Sequence, residues 1–372
     1  MVAGEASGDL LAEQLLAGLQ QRWPQLQAFG IGGPRMRARG FEAWWPSDVL
    51  AVRGYVEVLR HYRGIRRIRQ QLGDRLLRQR PHVFVGVDAP DFNLGLEARL
   101  RAGGIRTVHY ACPSIWAWRG GRVKKLAAAC DHVLCLFPFE PDLLRAHGVA
   151  ATYVGHPLAD VIPMDSPRET ARAALGVPAD APLVAVLPGS RRSEVQYNAA
   201  VFLQAAAQMQ AQRPQLRFVL PVAPGLRAAV DALVAEHAAG LGVQVIDGRS
   251  HEALAACDVT LIASGTATLE AALYRRPMVI GYRMHPLSYR LMKRMAYQPW
   301  VGLPNILCRD FVVPELLQDA CTPQALAAAT LAWLDEPARA AAVAERFADL
   351  HQQLRRDTAR LATDAIAQVV SA

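Results

Sequence analysis

Two carboxylates, Asp88 and Asp91, follow an apolar run directly, in the segment Gly86-Val87-Asp88-Ala89-Pro90-Asp91-Phe92-Asn93. A carboxylate at the end of a buried strand stands where a general base stands in an open α/β sheet. Pro90 stiffens the turn between the two, and Asp91 is equally suited to capping a helix that starts near Phe92. Further along, Leu187-Pro188-Gly189-Ser190-Arg191 also follows an apolar run. Gly189 and Ser190 expose backbone donors there, and Arg191 brings a planar fork suited to phosphate oxygens. A third run ends in Ala263-Ser264-Gly265-Thr266-Ala267-Thr268-Leu269-Glu270 and opens a helix. A helix N-terminus lined by Ser264, Gly265 and Thr266 can hold a diphosphate. Glu270, one turn further in, can accept two hydrogen bonds from ribose hydroxyls. Asn305, in Leu303-Pro304-Asn305-Ile306, is a further polar group for the diphosphate or a donor sugar.

Two other loops carry weaker signals. Ala3-Gly4-Glu5-Ala6-Ser7-Gly8-Asp9 has the small residues that let backbone donors approach a ligand, or it is a tight turn with Ser7 as a cap. Cys112-Pro113-Ser114-Ile115-Trp116-Ala117-Trp118-Arg119 offers two indoles to an apolar acceptor or a sugar, or to the core. Taken together, the second half holds a nucleotide-diphosphate site, and the first half a base and an acceptor site. That is the logic of a glycosyltransferase built from two Rossmann-like domains facing a cleft. There is no Asp-x-Asp pair to hold a cation, so no metal and no cofactor are expected. Arg191 and the helix dipole would neutralise the leaving diphosphate instead. Neither GxGxxG after a strand nor Gly-Lys-Ser/Thr occurs, which argues against a dehydrogenase and a P-loop enzyme.

These loops need strands and helices to position them. Short apolar runs at residues 1–3, 26–31, 82–87, 107–110 and 132–136 alternate with helical patterns, as in a parallel sheet covered on both faces. After Gly155-His156-Pro157-Leu158, which reads as a linker, the pattern restarts. Strands are expected at 183–187, 217–221, 243–246, 259–262 and 277–282. The expectation is an α/β chain of two domains. Residues 1–160 form the first, residues 161–337 the second, and a helical end from about 338 to 372 packs back on the first.

The 372 residues are too many for one ordinary core and have a globular composition. No apolar stretch is long enough to span a bilayer, and residues 1–9 lack the pattern of a secretory signal. Six cysteines without a CxxC pair read as reduced, mostly buried thiols of a cytosolic protein. A net charge of +8 suggests an anionic partner.

The motifs occur in the order found in one family. Glu5-Ala6-Ser7-Gly8-Asp9, Asp88-Ala89-Pro90-Asp91-Phe92-Asn93, Pro113-Ser114-Ile115-Trp116-Ala117-Trp118, Gly155-His156-Pro157, Leu187-Pro188-Gly189-Ser190-Arg191, Ser264-Gly265-Thr266-Ala267-Thr268-Leu269-Glu270 and Leu303-Pro304-Asn305 resemble those of the lipid-A-disaccharide synthases. The resemblance implies a GT-B fold and an inverting transfer from UDP-2,3-diacylglucosamine to 2,3-diacylglucosamine 1-phosphate. The products would be a β-1,6-linked disaccharide 1-phosphate and UDP. It implies Asp88 as the base, with Asp91 in reserve, and Arg191, Glu270 and Asn305 on UDP. Glu5 and Ser7 match the substrate-facing loop of the first domain. It also implies a cytoplasmic enzyme attached peripherally to the inner face of the inner membrane. Family members carry several residues before the first motif, whereas here only Met1-Val2-Ala3 precede Gly4. A short first strand is therefore expected, from a start that is truncated or set late.

Acylated substrates require contact with a lipid surface. Arg60–Arg80, with eight Arg and one Asp beside an apolar stripe, is the preferred segment for lipid or acceptor contact. For the second basic stretch, Tyr282–Trp300, an ordinary core face is slightly preferred. No nucleic-acid partner is expected, and the sequence leaves open monomer or homodimer. The nearest alternative is a GT-B transferase acting on a peptidoglycan lipid precursor, but its Gly-Gly-x-x-Gly-His loop is absent. A UDP-N-acetylglucosamine 2-epimerase and a non-catalytic binding protein are the others.

Overall fold

A computed structural model describes the chain except residues 5, 51–54, 118, 119, 296 and 372, and only the backbone of 6 and 55–62. Glu5 and Trp118 thus lie outside the described residues. Contacts divide the chain into two units, Met1–Asp160 with Gln353–Ala372, and Val161–Gln352.

The first unit is a parallel sheet. Its strands are β1 (Val2–Ala3), β2 (Phe29–Gly32), β3 (Glu42–Pro46), β4 (Val83–Val87), β5 (Arg106–Tyr110), β6 (His132–Cys135) and β7 (Ala151–Tyr153), in the order β3-β2-β1-β4-β5-β6-β7. Val83–Val87 forms a strand as a short apolar run buried on both faces, and Arg106–Tyr110 pairs beside it, buried from Thr107 on. On one face Val2, Ile31, Phe84 and Ile105 meet Leu72 and Leu76 of helix Tyr55–Gln79 and Phe92, Leu96 and Leu100 of helix Pro90–Ala102. Each fully buried Leu there contributes about 1.5–3 kcal/mol.

The second unit repeats the plan with β8 (Leu183–Leu187), β9 (Arg217–Val222), β10 (Val243–Asp247), β11 (Val259–Ala263), β12 (Met278–Tyr282) and β13 (Glu315–Leu317), in the order β10-β9-β8-β11-β12-β13. All of β8 and β11 is buried. In both sheets the chain runs outward through three strands and then returns beside the first. The switch points therefore lie between β1 and β4 and between β8 and β11. Ligands of open α/β sheets bind outside the carboxyl ends of strands at such points.

The chain returns to the first unit at residue 353, later than the expected 338. Helix Pro337–Leu354 stays with the second unit for most of its length, where buried His351 donates from Nδ1 to the Leu273 carbonyl at 3.1 Å. The Gly155-His156-Pro157 segment receives the returning chain. His156 N–H donates to the Leu354 carbonyl at 2.9 Å, and a side chain on Gly155 would collide with that same carbonyl at 2.6 Å. Asp160 then caps helix Thr358–Ser371, accepting from the N–H groups of Asp357 and Thr358. That helix lies close against helix Ala6–Arg22, because Gly18 has no side chain to meet Ala359 and Thr363.

Candidate active site

The first switch point brings together the loops after β1 and β4. Gly4 is buried, and a Cβ there would stand 3.4 Å from the Ala89 Cβ, so the two loops touch. Ser7 is exposed in the first turn of helix Ala6–Arg22 rather than ahead of it as a cap. Asp9 is nearly fully buried, and its carboxylate accepts from the N–H groups of Gly33, Arg35 and Met36. The β1 loop is thereby pinned to the β2 loop.

Asp88 is half-buried at the end of β4. Its N–H donates to the Tyr110 carbonyl at 2.9 Å, and its own carbonyl accepts from Asn93 Nδ2 at 2.8 Å. Asp88 and Ala89 both sit at positive φ, 50° and 44°. Two consecutive left-handed residues other than glycine are costly, about 1–3 kcal/mol each, and persist only where the surroundings hold them. Asp91 has a different setting. Its side chain is 82% exposed and paired with Arg122. Of the two carboxylates, Asp88 alone is built into the strand end.

Behind Asp88 stands a buried polar set. Glu97, His109 and Asn93 are completely buried, and Cys130 nearly so. Glu97 Oε1 lies 2.8 Å from His109 Nδ1, and its Oε2 accepts from Cys130 Sγ at 3.2 Å. Burial pulls the His109 pKa down, but the charge and hydrogen bond of Glu97 and the charge of Asp88 outweigh it, so the net shift is upward. Burial likewise drives the Cys130 thiol up, so it stays protonated and donates.

In the loop after β5, Ile115 joins the core and Trp116 is half-buried. Trp116 donates its indole N–H to Glu140 at 3.0 Å and packs edge-on against Phe137 and Phe139. Its indole N–H is thus committed within the first unit. Burial raises the Glu140 carboxyl to about 7, opposed by hydrogen bonds from Phe137 and Trp116.

At the second switch point the loop after β8 turns through Gly189 at φ 135° into helix Arg192–Gln212. A Cβ at Gly189 would fall 2.3 Å from the Glu194 Cβ, so only glycine fits. Glu194 takes the donors expected to be open. It accepts from the backbone of Ser190 at 2.9 Å and Arg191 at 3.3 Å, and from the Arg191 guanidinium at 2.7 Å. The Arg191 side chain is 47% exposed. Buried Asn198 ties this helix to the end of β12 by accepting from the Arg283 N–H at 2.7 Å.

The loop after β11 is more open. Helix Thr266–Leu273 begins at Gly265 without a side-chain cap, and Gly265 and Thr266 are exposed. Ser264 donates its hydroxyl to the Val301 carbonyl at 3.1 Å. Glu270 Oε2 is 3.4 Å from His251 Nε2. Asn305 differs from expectation. It is completely buried, Nδ2 donates to the Val313 carbonyl and to Glu315, and Oδ1 accepts from the Val313 N–H. With both ends of its amide spent inside the loop, it has nothing left for a diphosphate. Glu315 gathers the same loop by accepting from Val301, Gly302 and Asn305.

The two basic segments differ in what their apolar residues meet. In helix Tyr55–Gln79 the described apolar residues Ile65, Ile68, Leu72 and Leu76 face the core, while Arg63, Arg66 and Arg67 face solvent. In helix Pro286–Met295 no residue is buried, and Leu287, Leu291 and Met292 are 68%, 49% and 42% exposed. The slight preference for a core face there is overturned. No described helix is long and apolar enough to cross a membrane.

A family model described as Lipid-A-disaccharide synthetase matches residues 1–370. The chain belongs to the lipid-A-disaccharide synthetase family. It is an enzyme, a glycosyltransferase of lipid A biosynthesis. The lipid-A-disaccharide synthase of Verminephrobacter eiseniae is 58% identical over all of this chain and 97% of its own length. That of Albidiferax ferrireducens is 59% identical over all of this chain and 96% of its own. Solved structures share the fold at low identity. A UDP-GlcNAc 2-epimerase from Neisseria meningitidis bound to UDP-GlcNAc aligns with TM-score 0.62 at 10% identity, over 98% of this chain and 97% of that one. WaaG, a glycosyltransferase involved in lipopolysaccharide biosynthesis, aligns with TM-score 0.57 at 13% identity over the same shares. The expected α/β fold of two parallel-sheet units, the GT-B class, stands.

In this chain, sequence reasoning missed Glu194, Asn198, His251, Glu315 and the Glu97–His109 pair. Glu194 had a signal, since it stands three residues after Arg191 where a capping box places its Glu. The others are single polar letters in helices or strands whose partners lie far along the chain.

Proposed function

We propose that the chain transfers the diacylglucosaminyl group of UDP-2,3-diacylglucosamine to the 6-hydroxyl of 2,3-diacylglucosamine 1-phosphate, with inversion. The observation that carries the mechanism is Asp88, a carboxylate locked on a strained turn at the carboxyl end of β4. Asp88 takes the proton of the acceptor 6-hydroxyl while that oxygen attacks the anomeric carbon. The bond from the anomeric carbon to the diphosphate breaks, and UDP leaves with its electron pair. Ser7, in the first turn of the adjoining helix Ala6–Arg22, hydrogen-bonds the acceptor.

The donor's diphosphate sits on the uncapped N-terminus of helix Thr266–Leu273, where the backbone of Gly265 and Thr266 and the helix dipole favour negative charge. Arg191, steadied by Glu194, stabilises the charge that grows on the leaving group. Glu270 accepts from the ribose hydroxyls, with His251 orienting it. Asn305 acts on this site only by shaping the loop after residue 301. These protein groups are enough for the leaving diphosphate, so turnover is expected to persist with chelator present.

Helix Pro286–Met295 is the surface we assign to anionic lipid. Leu287 and Leu291 recur at helical spacing beside Arg290, Lys293 and Arg294, and residues 271–309 contain no Asp or Glu. The partner is the inner leaflet that carries the acylated substrates.

Mass spectrometry of the purified protein with both substrates in detergent and chelator tests the reaction. A tetraacyl disaccharide phosphate together with UDP supports it. UDP binding without that product would reassign the acceptor and favour the peptidoglycan-precursor reading.

A further inference from the structure

The transfer as described makes no use of Glu97, His109 and Cys130, yet the fold commits much to them. A buried ion pair is often no better for stability than apolar residues of the same volume. Here it also dictates its neighbours, since a Cβ on Gly86 would fall 2.1 Å from Glu97 Oε1 and 3.0 Å from the Asn93 side chain. Packing alone would be served by an apolar cluster with a larger residue at 86.

Two links lead from this set's surroundings to residue 88 and others to the strand just before it. Asn93 and Glu97 lie one turn apart on the same face of helix Pro90–Ala102. Asn93 Nδ2 donates to the Asp88 carbonyl at 2.8 Å and the Val87 carbonyl at 3.4 Å. His109 pairs with Gly86 across β4 and β5, and its neighbour Tyr110 accepts the Asp88 N–H. Two polar atoms of the set, His109 Nε2 and Asn93 Oδ1, are buried without a partner. These are expensive choices, of a kind kept where they fix one conformation.

We propose that the Glu97–His109 pair, backed by Cys130 and Asn93, is a positioning network that holds the strained turn at Asp88 and Ala89 and so aims the Asp88 carboxylate at the acceptor. The network rests on the reading of Asp88 as the base. Among the described residues Glu97, His109 and Cys130 are also the one group with the donor types of a metal site. Their contacts of 2.8 and 3.2 Å are hydrogen-bond distances, and it is as a hydrogen-bonded set that they back the turn.

The test compares kcat and KM of Glu97→Gln, which removes the charge at constant size, and His109→Asn, which keeps a donor near Nδ1. Each is made with Asp88 intact and in an Asp88→Ala background, with thermal midpoint and UDP affinity measured alongside. Cys130→Ser preserves a donor to Glu97 and serves as the conservative variant. The proposal expects kcat to fall about 10- to 100-fold, as for a misaimed catalytic group. KM and UDP affinity should stay within about twofold of wild type on the same reasoning, since the donor's groups lie in the other unit. Cys130→Ser should keep near-normal kcat. In the Asp88→Ala background the same substitutions should cost nothing further. Unchanged kcat in folded variants, or equal losses in both backgrounds, overturns the network and leaves Asp88 in place as the base. Near-normal turnover of Asp88→Ala alone overturns the base and the network with it.

Discussion

Asp88 and Asp91 are three residues apart and chemically identical, and only their surroundings separate them. Asp88 is fixed through its backbone on both sides, whereas Asp91 is exposed and paired with Arg122. Asn305 shows the reverse lesson, a polar side chain whose every bond is internal. Replacing it by Ala strands the Val313 N–H and carbonyl and removes a donor from Glu315, a loss of about 1–3 kcal/mol. Thermal denaturation of Asn305→Ala should show that loss directly, while UDP affinity well below the transition stays near wild type. Weakened UDP binding with an unchanged midpoint would restore the direct contact. The sequence made Asp88 readable because a carboxylate after an apolar strand is a local signal. Asn305, Glu97 and His109 were not readable, because their partners become neighbours only when the sheets form.

The loops that matter are held by whole elements, and the strands beneath them were largely legible. The central strands β4, β8 and β11 are almost wholly apolar runs, since both their faces are covered, whereas β5 is buried from Thr107 on although it carries Thr107 and His109. The ones missed, β3, β7 and β13, are all at sheet edges and half-exposed, so no such run marks them. The loop after β5 depends on Glu140, whose carboxyl burial raises from the ordinary 4.5 to about 7. A raised folded-state value means that the protonated form is favoured by folding. This contribution is fully present below about 4.5 and is lost as pH rises through about 7, on the order of 3 kcal/mol. His156, lowered to about 4 by burial, acts in the opposite sense between about 4 and its ordinary 6.5. The measurement is therefore a difference, the stability of wild type minus that of Glu140→Gln from pH 4 to 8. It should fall as pH rises, and a flat difference would contradict the assignment.

For the molecule as a whole, the sheet order places all four principal loops at switch points, although no one motif reveals that order. The basic segments teach the same at larger scale. Their amphipathic patterns are alike in sequence, and only the fold decides which apolar stripe is covered. Helix Tyr55–Gln79 turns its described stripe inward, and helix Pro286–Met295 leaves its leucines in solvent. Replacing Leu287, Leu291 and Met292 by Ser should therefore reduce co-sedimentation with anionic vesicles. Replacing Arg290, Lys293 and Arg294 by Gln should cost about 1 kcal/mol per charge and abolish the salt dependence. Turnover of short-chain substrates in detergent should survive both sets. Vesicle binding that neither set alters would remove this helix from the lipid surface.

The most direct test of the account is single-turnover kinetics of Asp88→Asn beside Asp91→Asn, both folded and both binding UDP as wild type does. Asp88→Asn should lose about 10²–10⁴-fold in the rate of disaccharide formation, as for removal of a general base, while Asp91→Asn should lose little. A large loss confined to Asp91→Asn, or near-normal rates for both, would contradict it.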